Sequence, residues 1–170
     1  MRIFAVISAA CMAALFVTGC GYHLGAAKPA VLQNVTTLAI PTFKNKTFEP
    51  NIEVLMADAT IKQFQEDGTY EIVPDDRADA ILYCTLDNVE RSQARAVLSN
   101  VLATREFKLK LVVQYELVDR VTGVSILAGT VNADTSFYTN NDLQVDEQQA
   151  IVTAIHKVAV DIVGQISEGF

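Results

Sequence analysis

The chain has 170 residues, with 13 Lys and Arg against 20 Asp and Glu and a formal net charge of −7 at neutral pH. An acidic chain without a basic block is a poor nucleic-acid binder, which excludes that class of partner. The length suits one ordinary domain with a real core once a leader is set aside.

The leader comes first in the chain. Arg2 supplies a positive start, Ile3 to Val17 is apolar apart from Ser8, and Gly19 is a small residue before a cut. These are the three parts of a secretory signal. The apolar run of about 15 residues is short of the ~20 needed to span a bilayer. Val17-Thr18-Gly19-Cys20 fits a bacterial lipobox, whose cysteine takes a thioether-linked diacylglycerol and, after cleavage, a further acyl chain such as palmitate on its amine. The expected division is a signal peptide over 1–19, a lipidated tether over 20–33 and a single domain over 34–170. Gly21 stands where Asp would retain such a protein at the inner membrane, so an outer-membrane, periplasm-facing anchor is expected. Of the three cysteines, Cys11 leaves with the signal and Cys20 is acylated. Cys84 is then alone, which precludes an intramolecular disulfide in the mature chain and predicts a buried, inert thiol.

The domain follows in short, readable elements. Val35 to Pro41 reads as a strand, ended by Pro41 because proline cannot donate to a ladder. A polar loop over Thr42 to Glu49 leads to Pro50, suited to the first position of a helix. That helix is expected over Asn51 to Gln65, with Ile52, Leu55, Met56, Ala59 and Phe64 buried and Gly68 as its stop. Tyr70 to Val73 is a short strand closed by Pro74, and Asp75, Asp76 and Asp79 read as turn or capping chemistry rather than a calcium loop. Ala80 to Arg91 alternates imperfectly, which predicts a bulge. Arg105 to Asp119 alternates well, with Phe107, Leu109, Leu111, Val113, Tyr115 and Leu117 on one face. Glu106, Lys108, Lys110, Gln114 and Glu116 lie on the other, so one face is wet. Gly123 marks a turn, Val124 to Tyr138 a last strand able to bend at Gly129, and Leu143 to Ser167 a final helix with a wide apolar stripe. The order β-α-β-β-β-β-α predicts an α+β fold, two helices on one face of a mostly antiparallel four- to five-stranded sheet.

No phosphate loop, metal-spaced Cys/His cluster or nucleophile elbow is present, so no cofactor, metal or catalytic residue is assigned. His156 falls on the polar side of the last helix. The unusual segment is Ser92 to Thr104, where a hairpin tip carries Leu98, Val101 and Leu102 around Ser99-Asn100. Such a tip either tucks under its own domain or meets a partner or lipid chains.

Gly19-Cys20-Gly21-Tyr22-His23-Leu24 resembles the start of the LptE lipoproteins of lipopolysaccharide assembly. Ile40-Pro41-Thr42-Phe43-Lys44-Asn45-Lys46-Thr47-Phe48, Leu86-Asp87-Asn88-Val89 and Tyr115-Glu116-Leu117-Val118-Asp119 are similar to segments of the same family, and the element order agrees. The resemblance implies a non-enzymatic role at the outer membrane: association with the LptD β-barrel, help in its assembly, and contact with lipopolysaccharide on its way to the outer leaflet. Family members can carry basic residues near the hairpin tip and just before the last helix, where this chain has Asn100 and Val145. The substitute contacts for phosphates are Arg91, Arg95, Arg105, Lys108 and Lys110. Leu98 and Leu102, flanking Asn100, would serve acyl chains or the barrel. A second resemblance competes. Leu38 to Thr47, followed by a helix and Asp67 to Val73, is similar to CsgG-like and LpoB-like lipoproteins, which are secretion-pore subunits or cell-wall synthase activators. Those folds alternate more strands and helices than this chain offers.

Overall fold

The structure, a computed structural model, describes residues 28–95, 105–139 and 143–169. One six-stranded sheet runs through it: β1 (Thr37–Ala39), β2 (Lys44–Asn45), β3 (Glu71–Ile72), β4 (Ala80–Arg95), β5 (Arg105–Asp119) and β6 (Ser125–Thr139). Two helices, α1 (Ile52–Asp67) and α2 (Leu143–Ser167), pack on one face of it. The strand order is β3-β1-β4-β5-β6, with β2 also on β4, in line beyond β1. The α+β class is as predicted, but the sheet has six strands and is mixed. The long strands β4, β5 and β6 are antiparallel, while β1–β3, β1–β4 and β2–β4 are parallel pairs. The extra strand lies inside the loop read from Thr42 to Glu49. Two residues are too few for a period-2 pattern to register, and only the partner strand makes them a strand.

Bulges set which side chains face the helices. In β4, Leu82, Cys84 and Leu86 point inward, opposite Leu117, Tyr115 and Val113 of β5. A register shift between Leu86 and Asn88 then reverses the parity. Val89, Arg91 and Gln93 now stand opposite Leu111, Leu109 and Phe107 on the helix side. The predicted irregularity is therefore real, and β4 extends four residues past Arg91. The charged residues of β5 mark a solvated face and not an edge, since β5 is flanked on both sides.

The helix α1 begins two residues after Pro50, at Ile52, because Asn51 takes a left-handed conformation (φ 62°) that ends the preceding turn. Asparagine tolerates this region better than most residues. Gly68 stops the helix as predicted, at φ 72° with its N–H on the Phe64 carbonyl. The buried stripe is Ile52, Met56, Ala57, Thr60 and Phe64. Leu55 is not in it and is 51% exposed, and Ala59 is only partly buried. Thr60, unexpected in a core, donates its hydroxyl to the Met56 carbonyl. The helix α2 is long and apolar enough by composition to cross a membrane, yet Ala154, Ile155, Val158, Ala159, Ile162 and Ile166 are buried against the sheet and α1.

Gly129 of β6 is required by space. It lies opposite Tyr115, whose ring crosses it so that its hydroxyl donates to Gln165 of α2 at 2.7 Å. A Cβ on residue 129 would stand 2.5–2.8 Å from the outer atoms of that ring. Gly129→Ala is expected to cost about 1–3 kcal/mol by overpacking. Thermal denaturation measures the loss, and pairing it with Tyr115→Ala should recover part of it. Equal, additive losses would mean the two residues do not compete for one space.

Candidate functional site

The sequence-predicted contact residues divide into three groups. Cys20, Leu98, Asn100 and Leu102 lie outside the described residues, as do the expected signal over 1–19 and most of the expected tether over 20–33. Arg95 and Arg105 end β4 and begin β5 at the root of the hairpin. Arg91, Lys108 and Lys110 are fully placed, and they do not form one cluster. Lys108 and Lys110 project from the wet face, while the bulge has turned Arg91 to the helix side.

Arg91 is engaged by two carboxylates. Its Nε donates to Glu147 of α2, and a terminal nitrogen donates to Glu49 of the loop before α1. It thereby joins the hairpin root, the start of α2 and the loop that leads into α1. Its guanidinium is thus paired with two carboxylates at this root. Loss of a paired cation would leave two acids facing each other, so Arg91→Ala is expected to lower stability by about 1 kcal/mol. Added salt should shrink the difference, a comparison readily made by denaturant titration.

On the wet face, the ladder aligns side chains across strands. Lys110 lies between Glu90 of β4 and Asp134 of β6, and Lys108 lies between Ser92 and Ser136. Nearer the β1 end, a line Lys44–Thr85–Gln114–Thr130 crosses four strands, next to a line Tyr83–Glu116–Ala128. Together they floor an open concavity of about 850 Å³, bounded at one side by Pro41 and Thr42. Tyr83 is 44% exposed there.

The opposite end of the domain receives the chain from its N-terminal side. Lys28 stands over the ring of Tyr70, 4.4 Å from its centre, and donates to the Val35 carbonyl. Leu32, in a short 3-10 turn over Ala30–Leu32, is fully buried, so these residues pack on the domain although their composition reads as tether. The aspartate turn does capping work. One Asp79 carboxylate oxygen accepts the backbone N–H groups of Thr36 and Thr37 and the Thr36 hydroxyl. Those bonds hold its pKa down at about 2. A carboxylate depressed in the folded state stabilises fully above its unfolded value near 4, and that contribution is lost as pH falls toward 2. Asp79→Asn should therefore flatten the fall of Tm between about pH 4 and pH 2. Melting curves across that range supply the comparison, and parallel profiles would refute the assignment.

Cys84 is buried as expected, and burial pushes its thiol far up, away from the thiolate. His156 is exposed on α2. Among the described residues no group of three His, Cys, Asp or Glu side chains is placed to hold a metal ion.

Comparison with known proteins places this architecture. A family model described as LptE, lipopolysaccharide-assembly, matches residues 35–166. No curated protein sequence matches the chain significantly. Among solved structures, the Xanthomonas campestris protein XCC0632 superposes at a TM-score of 0.59 with 13% identity, covering 83% of this chain and 89% of that one. The PelC dodecamer subunit of Paraburkholderia phytofirmans gives 0.53 at 11% identity, covering 84% and 94%. A putative lipoprotein of Caulobacter crescentus gives 0.50 at 13%, covering 74% and 88%. At these identities the structural matches speak for the fold alone. The family match spans the chain from the residues before β1 to the end of α2, through every strand and both helices, and on that ground the protein belongs to the LptE family of lipopolysaccharide assembly.

Proposed function

We propose that the protein is an outer-membrane lipoprotein, held by acyl chains on Cys20 and facing the periplasm. In this reading it associates with an LptD-like β-barrel, aids the assembly of that barrel, and helps deliver lipopolysaccharide to the outer leaflet. The role is non-catalytic. The observation that carries it is the family match over residues 35–166. Two features support it. The sheet keeps a polar face, as a partner lining a water-filled barrel requires. The outer edge of β6 has no strand beside it among the described residues, and only Asp134 along it is charged. An edge so lightly defended suits a protein that works inside a complex.

Affinity purification from detergent-solubilised outer membrane tests the proposal. Recovery of a large barrel protein together with lipopolysaccharide is the expected result. Recovery of a ring of identical subunits, or of a cell-wall synthase, would overturn it in favour of the CsgG-like or LpoB-like reading.

A further inference from the structure

The concavity on the wet face has a composition that selects its ligand. Its floor is a line of side chains that hydrogen-bond without forming a charged cluster: Lys44, Thr85, Gln114 and Thr130, one from each of four neighbouring strands. Beside it lie the exposed ring of Tyr83 and one carboxylate, Glu116, with the small Ala128 leaving open space, while the Tyr115 ring is buried on the helix side. One ammonium and one carboxylate leave the groove electrically balanced, so neither a phosphate-rich polymer nor a cationic peptide is favoured. Large aliphatic side chains are missing from its lining, which disfavours an acyl chain. An extended peptide would add to a strand edge and not lie on a sheet face. A sugar chain meets each condition. Its rings offer a C–H face to an aromatic side chain, and its hydroxyls both donate and accept. The strand spacing of about 4.8 Å repeats the polar side chains at a distance comparable to one sugar ring. The volume, about 850 Å³, lies within the usual range for a ligand site of several rings.

We propose that this groove binds an oligosaccharide, laid across β2, β4, β5 and β6 with one ring stacked on Tyr83. Gln114 and Thr130 hydrogen-bond its hydroxyls, Glu116 accepts from them, and Lys44 donates at the β2 side. The inference deepens the proposed function, on which it rests only for the source of the saccharide. The site is separate from the hairpin root, since Arg91 faces the helices and Lys108 lies several residues along β5 from Gln114.

The experiment uses the full chain in detergent, titrated with the core oligosaccharide released from lipopolysaccharide by mild acid, read by amide chemical shifts and calorimetry. Shifts gathered at Tyr83, Thr85, Gln114, Glu116 and Thr130 are expected. Tyr83→Ala should weaken binding about tenfold, the scale of one lost aromatic contact. Gln114→Ala should weaken it by a smaller factor, and Val160→Ala on α2 should leave it unchanged. Both groove positions are partly or fully exposed, so the variants keep the fold, which an unchanged melting temperature verifies. No binding at millimolar saccharide, or shifts confined to residues 105–110, overturns the site. Equal binding of intact lipopolysaccharide by the wild type and by Tyr83→Ala also overturns it while leaving the assembly role standing. Saccharide shifts at the groove in a chain that recovers no barrel support the site and count against that role.

Discussion

Cys20→Ala is expected to move the protein from the membrane fraction to a soluble or unprocessed form. In the proposed reading the Cys20 thiol takes the diacylglycerol, and no other residue of Val17-Thr18-Gly19-Cys20 can form that thioether. Each buried CH₂ contributes about 0.8 kcal/mol to membrane binding, and stable anchoring needs more than one chain. Losing all of the chains therefore removes far more than any protein–lipid contact of an acidic domain restores. Seven residues, 21–27, separate Cys20 from Lys28, and the eight extended steps between those two residues reach at most about 28 Å. In the proposed anchored state the domain is held close to its bilayer, joined through Lys28. Fractionation with an alkaline wash, alongside labelling with a palmitate analogue, reads the outcome. Unchanged membrane partitioning of the alanine variant would remove the lipid anchor from the proposal. A melting temperature equal to that of the wild type would show that the substitution acts on the anchor and not on the fold.

Phe64→Ala is expected to cost about 3–5 kcal/mol, since Phe64 is the largest fully buried side chain among the described residues. Phe64 is fully buried in the last turns of α1 and meets Tyr70 edge-on, with ring centres 6.1 Å apart. Tyr70 in turn donates to the Ile166 carbonyl of α2 and carries Lys28 on its other side. Removing the phenyl ring opens a cavity under this whole junction, where both helix ends, β3 and the incoming chain converge. Against a total stability of about 5–15 kcal/mol, that loss is a large share. A second readout separates local opening from a general loss of stability. Burial first, and the Asp67 charge second, push the Tyr70 phenol up to about 12. Water admitted by the cavity solvates the phenolate, so the pKa should fall toward the ordinary value near 10. Spectrophotometric titration follows it. A variant with wild-type stability would show that the junction is not packed around this ring.

The two expectations differ in how far the residues alone support them. The proposed anchor rests on four consecutive residues, Val17 to Cys20, because lipobox chemistry depends on local recognition by processing enzymes. Much of the fold is legible for a similar reason. The strict alternation from Phe107 to Leu117 and the helical stripe of α2 are local periodicities imposed by one buried face, and both elements have the bounds the sequence predicted. Gly68 and Gly123 also act where expected, each with positive φ.

The contact residues were less legible. With unbroken alternation in β4, Arg91 would share the wet face with Lys108 and Lys110. The bulge after Leu86 reverses the parity and sends Arg91 to Glu49 and Glu147, residues 42 and 56 positions away. The sequence signalled an irregularity but could not say on which side of it Arg91 would fall. Leu55 failed for a related reason. Helical spacing admits a stripe one residue wider than the surface α2 covers, and only the packing angle decides which edge stays wet.

The sequence by itself determined the α+β class, the long strands with one wet face and the resemblance to the LptE family, and it carries the proposed export and acylation signals, since each rests on residues near one another in the chain. The tertiary structure alone decided that β2 exists, that Arg91 is paired with two carboxylates at the hairpin root, that Asp79 caps β1, and that Lys44, Thr85, Gln114 and Thr130 form a line across four strands. Those features depend on pairing register between distant segments, and a shift of one residue sends every side chain of a strand to the opposite face.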